Sequence, residues 1–187
     1  MSKIVAGSAG GRALKVPKSG TRPTSSLVRE ALFSHLEHRD FIDECDVLDL
    51  FAGSGALALE ALSRGACRAL GVDNSEEAIR IMNANARNTG LPLQAIKANV
   101  LTYVSQPGTD GPFDVIFLDP PYAFSDEQLA AVIKELPRHL KPDGLVVVER
   151  AKRNNEPVWS SQLHAERERT WGDTRVWTAQ MGVEDVE

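Results

Sequence analysis

A chain of 187 residues with 42% hydrophobic and 25% charged residues can build one sizeable core and is too short for two full domains. Its start, Met1 to Gly7, lacks the apolar run of a signal peptide, and no stretch approaches the roughly 20 apolar residues of a membrane span; a cytoplasmic protein without a membrane partner is therefore expected. Cys45 and Cys67 form no C-x-x-C pair and read as two reduced thiols. The net charge of −5 disfavours a nucleic-acid partner until its distribution is considered. Residues 1–29 hold Lys3, Arg12, Lys15, Lys18, Arg22 and Arg29 without one acid, which leaves 15 basic against 26 acidic residues in the remainder. A basic arm on an acidic body suits docking on phosphates, with Arg12, Lys15, Arg22 and Arg29 as candidate contacts; a merely solvated hairpin explains the same charges.

In chain order, Lys3–Ala6 and Arg12–Val16 are expected to pair as a hairpin around Gly7-Ser8-Ala9-Gly10-Gly11, and Pro17 to Pro23 reads as a loop. Leu27, Val28, Ala31, Leu32 and Leu36 then recur at helical spacing, with Thr24 or Ser25 as N-cap. From Val47 the pattern alternates strand and helix. Strands are expected at Val47–Phe51, Ala69–Asp73, Leu93–Ala98, Phe113–Leu118 and Leu145–Val148, with helices at Ala56–Arg64, Ser75–Asn88 and Asp126–Leu140. This succession predicts an α/β fold with a mostly parallel sheet and helices on both faces. Residues 163–171 and 174–181, joined at Gly172-Asp173, predict a C-terminal antiparallel hairpin. The expected organisation is one unit over 1–187, with residues 1–40 an N-terminal extension and 41–187 the core.

Two segments carry chemistry. Asp49-Leu50-Phe51-Ala52-Gly53-Ser54-Gly55 links the first core strand to its helix, at the sheet edge where open α/β sheets bind ligands. Glycines there let a ligand approach the backbone, and Asp73 ends the next strand in position to accept hydrogen bonds from ribose hydroxyls. Gly53-x-Gly55-x-x-Ala58 also satisfies a dinucleotide fingerprint, so the turn alone does not name its nucleoside cofactor. Asp49 favours S-adenosylmethionine, whose α-ammonium suits a carboxylate that would repel a pyrophosphate. Phe51, Ser54 and Asn74 belong to the same candidate pocket. Asn99 and Val100 follow the third core strand, where the adenine would lie; Asn99 reads equally well as a helix N-cap.

The second segment is Asp119-Pro120-Pro121-Tyr122. Two prolines stiffen a lip that displays a carboxylate, a carbonyl oxygen and an aromatic ring. An exocyclic base amine is a poor nucleophile because its lone pair is delocalised. Accepting its two N–H groups on Asp119 and the Pro120 carbonyl directs that lone pair out of the ring plane, towards an electrophile. Tyr122 offers a stacking face for an extruded base. His35 and His38, three apart on a helix, have no third ligand, and no metal is expected. Trp159, Trp171 and Trp177 read as core or cross-strand residues.

The segments VLDLFAGSGALALEALSRGA, GVDNS and FLDPPY, with Thr21-Arg22-Pro23-Thr24, Val28-Arg29-Glu30-Ala31-Leu32-Phe33 and Arg169-Thr170-Trp171-Gly172-Asp173-Thr174, resemble the RsmD family of 16S ribosomal RNA guanine-N2 methyltransferases. The resemblance spans nearly the whole chain. It implies a Rossmann-like class I methyltransferase fold with a seven-stranded sheet, S-adenosylmethionine as donor, and N2 of one guanine in 16S rRNA, within an assembling small-subunit particle, as acceptor. A monomer is the natural expectation at this size. Relatives of the Asp-Pro-Pro-Tyr tetrad occur in methyltransferases of DNA adenine or cytosine and of protein amides. A nicotinamide oxidoreductase and a non-enzymatic ribosome-assembly factor remain as alternatives; the first leaves Asp119–Tyr122 without a role, and the second leaves Asp49, Asp73 and Asp119 without one.

Overall fold

The computed structural model describes residues 2–18, 24–108 and 110–182. Among these, two short strands, β1 (Ser2–Lys3) and β2 (Ala13–Leu14), pair antiparallel and precede helix α1 (Ser26–His38). The core follows as β3 (Asp46–Leu50), α2 (Ala56–Ser63), β4 (Arg68–Asp73), α3 (Glu76–Thr89), β5 (Leu93–Lys97), α4 (Val100–Ser105) and β6 (Phe113–Leu118). It continues with α5 (Asp126–Glu135), a 3-10 turn (Leu136–His139), β7 (Leu140–Ala151), β8 (Leu163–Trp171) and β9 (Thr174–Met181). The strand order is β5-β4-β3-β6-β7-β9-β8. The first five strands are parallel, and β9 pairs antiparallel with both β7 and β8.

Alternation along the central strands divides the interior in two. Val47, Val115, Phe117, Leu145 and Val147 face a layer built from the hairpin, α1, α2 and α3. Leu48, Leu50, Ile116, Leu118, Val146 and Val148 face α4 and α5. Val115 to Leu118 are each at most 1% exposed, as the unbroken apolar run of β6 requires of a strand covered on both faces. The parallel sheet with helices on both faces and the C-terminal hairpin, turning at Gly172-Asp173, are as the sequence predicts.

The departures have local causes. The expected helix to Leu140 stops at Glu135 because Pro137 removes a ladder donor, and the chain tightens into a 3-10 turn. Strand β7 starts earlier than expected: Phe113 pairs with Leu140, the register then shifts, and Val115 pairs with Leu145, so Pro142-Asp143-Gly144 bulges within the strand instead of preceding it. The first hairpin is shorter than expected, although Ile4 still donates to Arg12 O at 2.9 Å and receives from Gly11 N at 2.9 Å. Strand β8 forms one edge of the sheet, with His164 to Thr170 all exposed.

The hairpin is held to the core by one buried acid. Glu60 of α2 is fully buried and accepts from Val5 N at 2.8 Å, Ala6 N at 3.1 Å and Arg64 Nε at 2.8 Å. Its other charged neighbour is Arg29, whose Nε lies 4.0 Å away. Gly7 completes the contact: its φ is +81°, and a Cβ there would lie 1.9 Å from the Ser63 carbonyl oxygen, so only glycine allows this approach. Replacing Glu60 by Ala leaves Arg64 Nε and two backbone amides without their acceptor and Arg29 without its nearest counter-charge. A loss of about 3–5 kcal/mol is expected, measured by chemical denaturation.

Candidate active site

The carboxyl ends of β3, β4, β5 and β6 open into a cavity of about 460 Å³, within the range of small-molecule sites. Its lining includes Asp49, Phe51, Gly53, Ser54, Asp73, Asn74, Asn99, Val100, Asp119 and Pro121. The turn after β3 is concave because Phe51, Gly53 and Gly55 all hold positive φ, at 61°, 56° and 78°. Gly55 is required by its φ of +78°, which other L residues rarely adopt, and a Cβ there would also force Leu93 Cδ2, 2.7 Å away, to shift. Gly55 itself underlies the turn and is absent from the lining. Asp73 Oδ2 accepts from Gly53 N and Oδ1 from Ser75 N, both at 2.9 Å, which joins the two strand ends. Phe51 meets Phe124 edge-to-face, with ring centroids 4.9 Å apart, and forms an aromatic wall.

Asp49 is 1% exposed, and its Oδ2 accepts from Ala58 N at 3.3 Å at the start of α2. Burial, reinforced by repulsion from Asp119 and Asp73, pushes its carboxyl well above the usual range. Asn99 caps α4, its Oδ1 accepting from Thr102 N at 3.1 Å, so the helix-cap reading is realised while the residue also lines the cavity.

A second cavity, of about 240 Å³, adjoins the first and shares Thr24, Asp119 and Pro121 with it. Its wall also includes Pro120, Tyr122, Glu149, Arg150, the start of α1 and the hairpin turn Trp171–Thr174. Tyr122 is 57% exposed, which leaves its ring available for stacking. Asp119 therefore stands at the junction of both spaces. Its Oδ2 accepts from the Thr24 hydroxyl at 3.3 Å, and the same hydroxyl lies 3.0 Å from Glu149 Oε2. Burial raises Asp119 to about 7, with the Thr24 bond and Arg150 opposing the rise. Burial and then Asp119 raise Glu149 to about 8.

The basic arm divides. Arg12 and Lys15 are exposed, with Arg12 Nη1 donating to Asn88 O at 2.8 Å, while Arg22 lies outside the described residues. Arg29 does not fit an RNA contact. It is 1% exposed, with Nη1 on Ser2 Oγ at 3.2 Å and Nη2 on Lys3 O at 2.7 Å, and it fastens the hairpin to α1. Its place on the stripe with Leu32, Phe33 and Leu36 was the available signal. Trp177 is core, whereas Trp171 is only partly buried and borders the second cavity.

Thr24, Asn85 and Glu149 are site residues that sequence reasoning does not single out. Ser25 caps α1, which frees the Thr24 hydroxyl for the two acids. Asn85 of α3 bonds Lys15 N at 2.8 Å, Lys15 O at 2.9 Å and Ser54 O at 2.9 Å, and so brings Val16 and Pro17 into the cavity wall. Among the described residues no group of three or more His, Cys, Asp or Glu is arranged to hold a metal, and no helix is long and apolar enough to cross a membrane.

The raised acid at position 149 makes stability pH-dependent. A carboxyl whose folded value lies above its unfolded one supports folding while protonated, and the support is lost as pH rises from the ordinary glutamate range through about 8. Glu149→Gln, which stays neutral, is expected to match the wild type at pH ~4 and to exceed it by about 3–5 kcal/mol at pH ~9, measured by denaturation at both values.

Comparison with known proteins agrees with this architecture. A family model described as "Conserved hypothetical protein 95" matches residues 2–180. Ribosomal RNA small subunit methyltransferase D of Escherichia coli K12 is 34% identical over 173 residues, 91% of this chain and 85% of that one. The Haemophilus influenzae protein of the same name is 35% identical over 154 residues, 80% and 79% of the two chains. The structure of a hypothetical protein from Thermus thermophilus matches with a TM-score of 0.81 at 33% identity, covering 98% of this chain and all of that one. Magnesium protoporphyrin IX methyltransferase of Synechocystis PCC 6803, solved with bound SAM, shares the fold at a TM-score of 0.66 and 16% identity, over 83% and 79% of the chains. The fold is the one common to these methyltransferases, and the chain belongs to the RsmD family, the family of conserved hypothetical protein 95.

Proposed function

We propose that this chain transfers a methyl group from S-adenosylmethionine to the exocyclic N2 amine of a guanine in small-subunit (16S) ribosomal RNA, presented within an assembling particle. The observation that carries the proposal is the position of Asp119 on the shared wall of the two cavities. The larger cavity fits the cofactor: its acids suit a cationic ligand without phosphate, and Asp49 already occupies the first-turn amide of α2 that a pyrophosphate would use. That contact disfavours the dinucleotide reading. Asp49 takes the α-ammonium, Asp73 the ribose hydroxyls, and the Phe51, Asn74, Asn99 and Val100 segment surrounds the nucleoside. Gly53 and Ser54 let it approach the backbone, and Gly55 holds that turn in shape.

Bound there, S-adenosylmethionine supplies an electrophilic methyl carbon and retains the electron pair of the broken S–C bond on sulfur. Tyr122 stacks on the extruded guanine in the smaller cavity, and rigid Pro120-Pro121 fixes the distance between the two sites. The Asp119 carboxylate and the Pro120 carbonyl accept the two N2–H groups and aim the nitrogen lone pair at the methyl. As the C–N bond forms, the positive charge on nitrogen develops against these oxygens. One N2 proton then passes to Asp119, whose raised basicity suits a proton acceptor near neutrality. The free thiols Cys45 and Cys67 are compatible with a reducing, cytoplasmic setting.

Small-subunit RNA is to be incubated with the protein and labelled S-adenosylmethionine, naked and in partly assembled particles, and its nucleosides analysed by mass spectrometry. Labelled N2-methylguanosine is expected, and label confined to another base would refute the acceptor assignment. Asp119→Ala is expected to reduce turnover by at least about 100-fold while cofactor binding, followed by isothermal titration, survives.

Neutralising Arg12 and Lys15 together tests the arm. Weaker RNA binding is expected, with the slope of log K against log salt flattened by about 1–2. An unchanged slope would leave these residues solubilising only.

A further inference from the structure

We infer that Glu149 is a specificity-determining residue that accepts the N1–H of the target guanine beside the amine held by Asp119. The inference rests on the guanine-N2 reading and names how that base is told from the others. Parallel pairing of Leu118 with Val148 sets Asp119 and Glu149 side by side at the end of β6 and along β7. Both acids line the smaller cavity, and both reach the single Thr24 hydroxyl, at 3.3 and 3.0 Å. Two adjacent acceptors are thus presented to whatever base enters.

The bases differ at the ring atom next to the exocyclic amine. Guanine has N1 on one side, which carries hydrogen and donates, and the acceptor N3 on the other; in adenine N1 and in cytosine N3 the flanking nitrogen is an acceptor, so only guanine offers a donor there. Once ionised, a second carboxyl beside the first is complementary to the guanine edge alone. Against adenine or cytosine its oxygen would face a lone pair, and the desolvated acid would be left without a partner.

Structural duties account for Glu149 only in part, through its charge interaction with Arg29. It is 8% exposed, and among the described residues its hydrogen bond comes from Thr24. Nearby Arg29 has its ion-pair partner in Glu60 and its hydrogen bonds on Ser2 and Lys3. An acid buried beside another acid costs stability, and such placements concentrate where ligands are bound. Burial and Asp119 raise Glu149 to about 8, with Asp49 adding to the rise and Arg29 and Thr24 opposing it. Neutral or ionised, the group keeps an oxygen that accepts N1–H; once ionised it accepts only.

The test compares guanine with 2-aminopurine, which keeps the 2-amino group and has an N1 lone pair in place of N1–H. Each base is placed at the methylated position of small-subunit RNA by ligation, in the particle form the wild type methylates, and kcat/KM is measured across about pH 7–8.5, where guanine keeps N1–H while the ionised fraction of Glu149 rises. The wild type is expected to prefer guanine by about 10–100-fold. Glu149→Met is expected to abolish that preference by slowing guanine alone, and Glu149→Gln, which retains a carbonyl acceptor, to restore most of it. Unchanged cofactor affinity by isothermal titration identifies folded variants. A Glu149→Met protein that binds cofactor and still prefers guanine as the wild type does would overturn the role of Glu149 while leaving the guanine-N2 reading intact. Wild-type transfer to adenine or cytosine in place of guanine would overturn both.

Discussion

Parallel pairing of β4, β3, β6 and β7 brings one end of each strand to a single edge of the sheet, where each carries an acid: Asp73, Asp49, Asp119 and Glu149. A sheet buried on both faces shows polar side chains at its margins, and in open α/β sheets the crevice outside the carboxyl ends of the strands is where ligands bind. Asp49 and Glu149 are almost wholly removed from water and Asp119 partly so, and each is held above its ordinary pKa by burial, with neighbouring acids adding to the rise for Asp49 and Glu149. The concentration of acid destabilises the fold. It is offset in part by fixed donors, namely the Ala58 amide and the Thr24 hydroxyl. A cationic ligand offsets it further, so the same electrostatics that strain the resting protein favour binding at this edge.

The N-terminal segment takes part in the same arrangement. Glu60 and Asn85 each receive the arm at backbone level, through Val5, Ala6 and Lys15, so its position is set by hydrogen-bond geometry more than by side-chain chemistry. As a result Val16, Pro17 and Thr24 serve as cavity wall, although all precede the first strand of the large sheet. The arm and the catalytic core are consequently not separable: Ile4 and Leu14 lie in the same cluster as Leu57 and Val115.

What the sequence discloses and what it withholds follow one physical division. Asp49 to Gly55 and Asp119 to Tyr122 are contiguous, and their meaning is local: a turn needing glycine, a lip needing proline. The order of strands and helices is equally readable, because periodicity is a property of short windows. Thr24, Asn85 and Glu149 acquire their roles across 125, 70 or 31 positions, where only register and packing can bring them together. Glu149 closes a run of valines and looks like any polar residue near a strand end. Arg29 shows the opposite error. Its charge groups it with an exposed arm, yet its helical position places it inside, and position outweighs residue type when a buried carboxylate is within reach.

Strand β8 leaves the outer edge of the sheet with unpaired backbone groups, the kind of surface on which a second chain can add a strand. Along it Glu166, Arg167, Glu168 and Arg169 alternate in sign and stand in solvent, and Arg39 and Arg175 reach across to Glu166 and Glu168. A copy docking there would bring its own like-charged residues against these, at a cost in desolvation. The edge thereby carries charge of the kind that disfavours edge-to-edge strand addition, and four consecutive residues supply it.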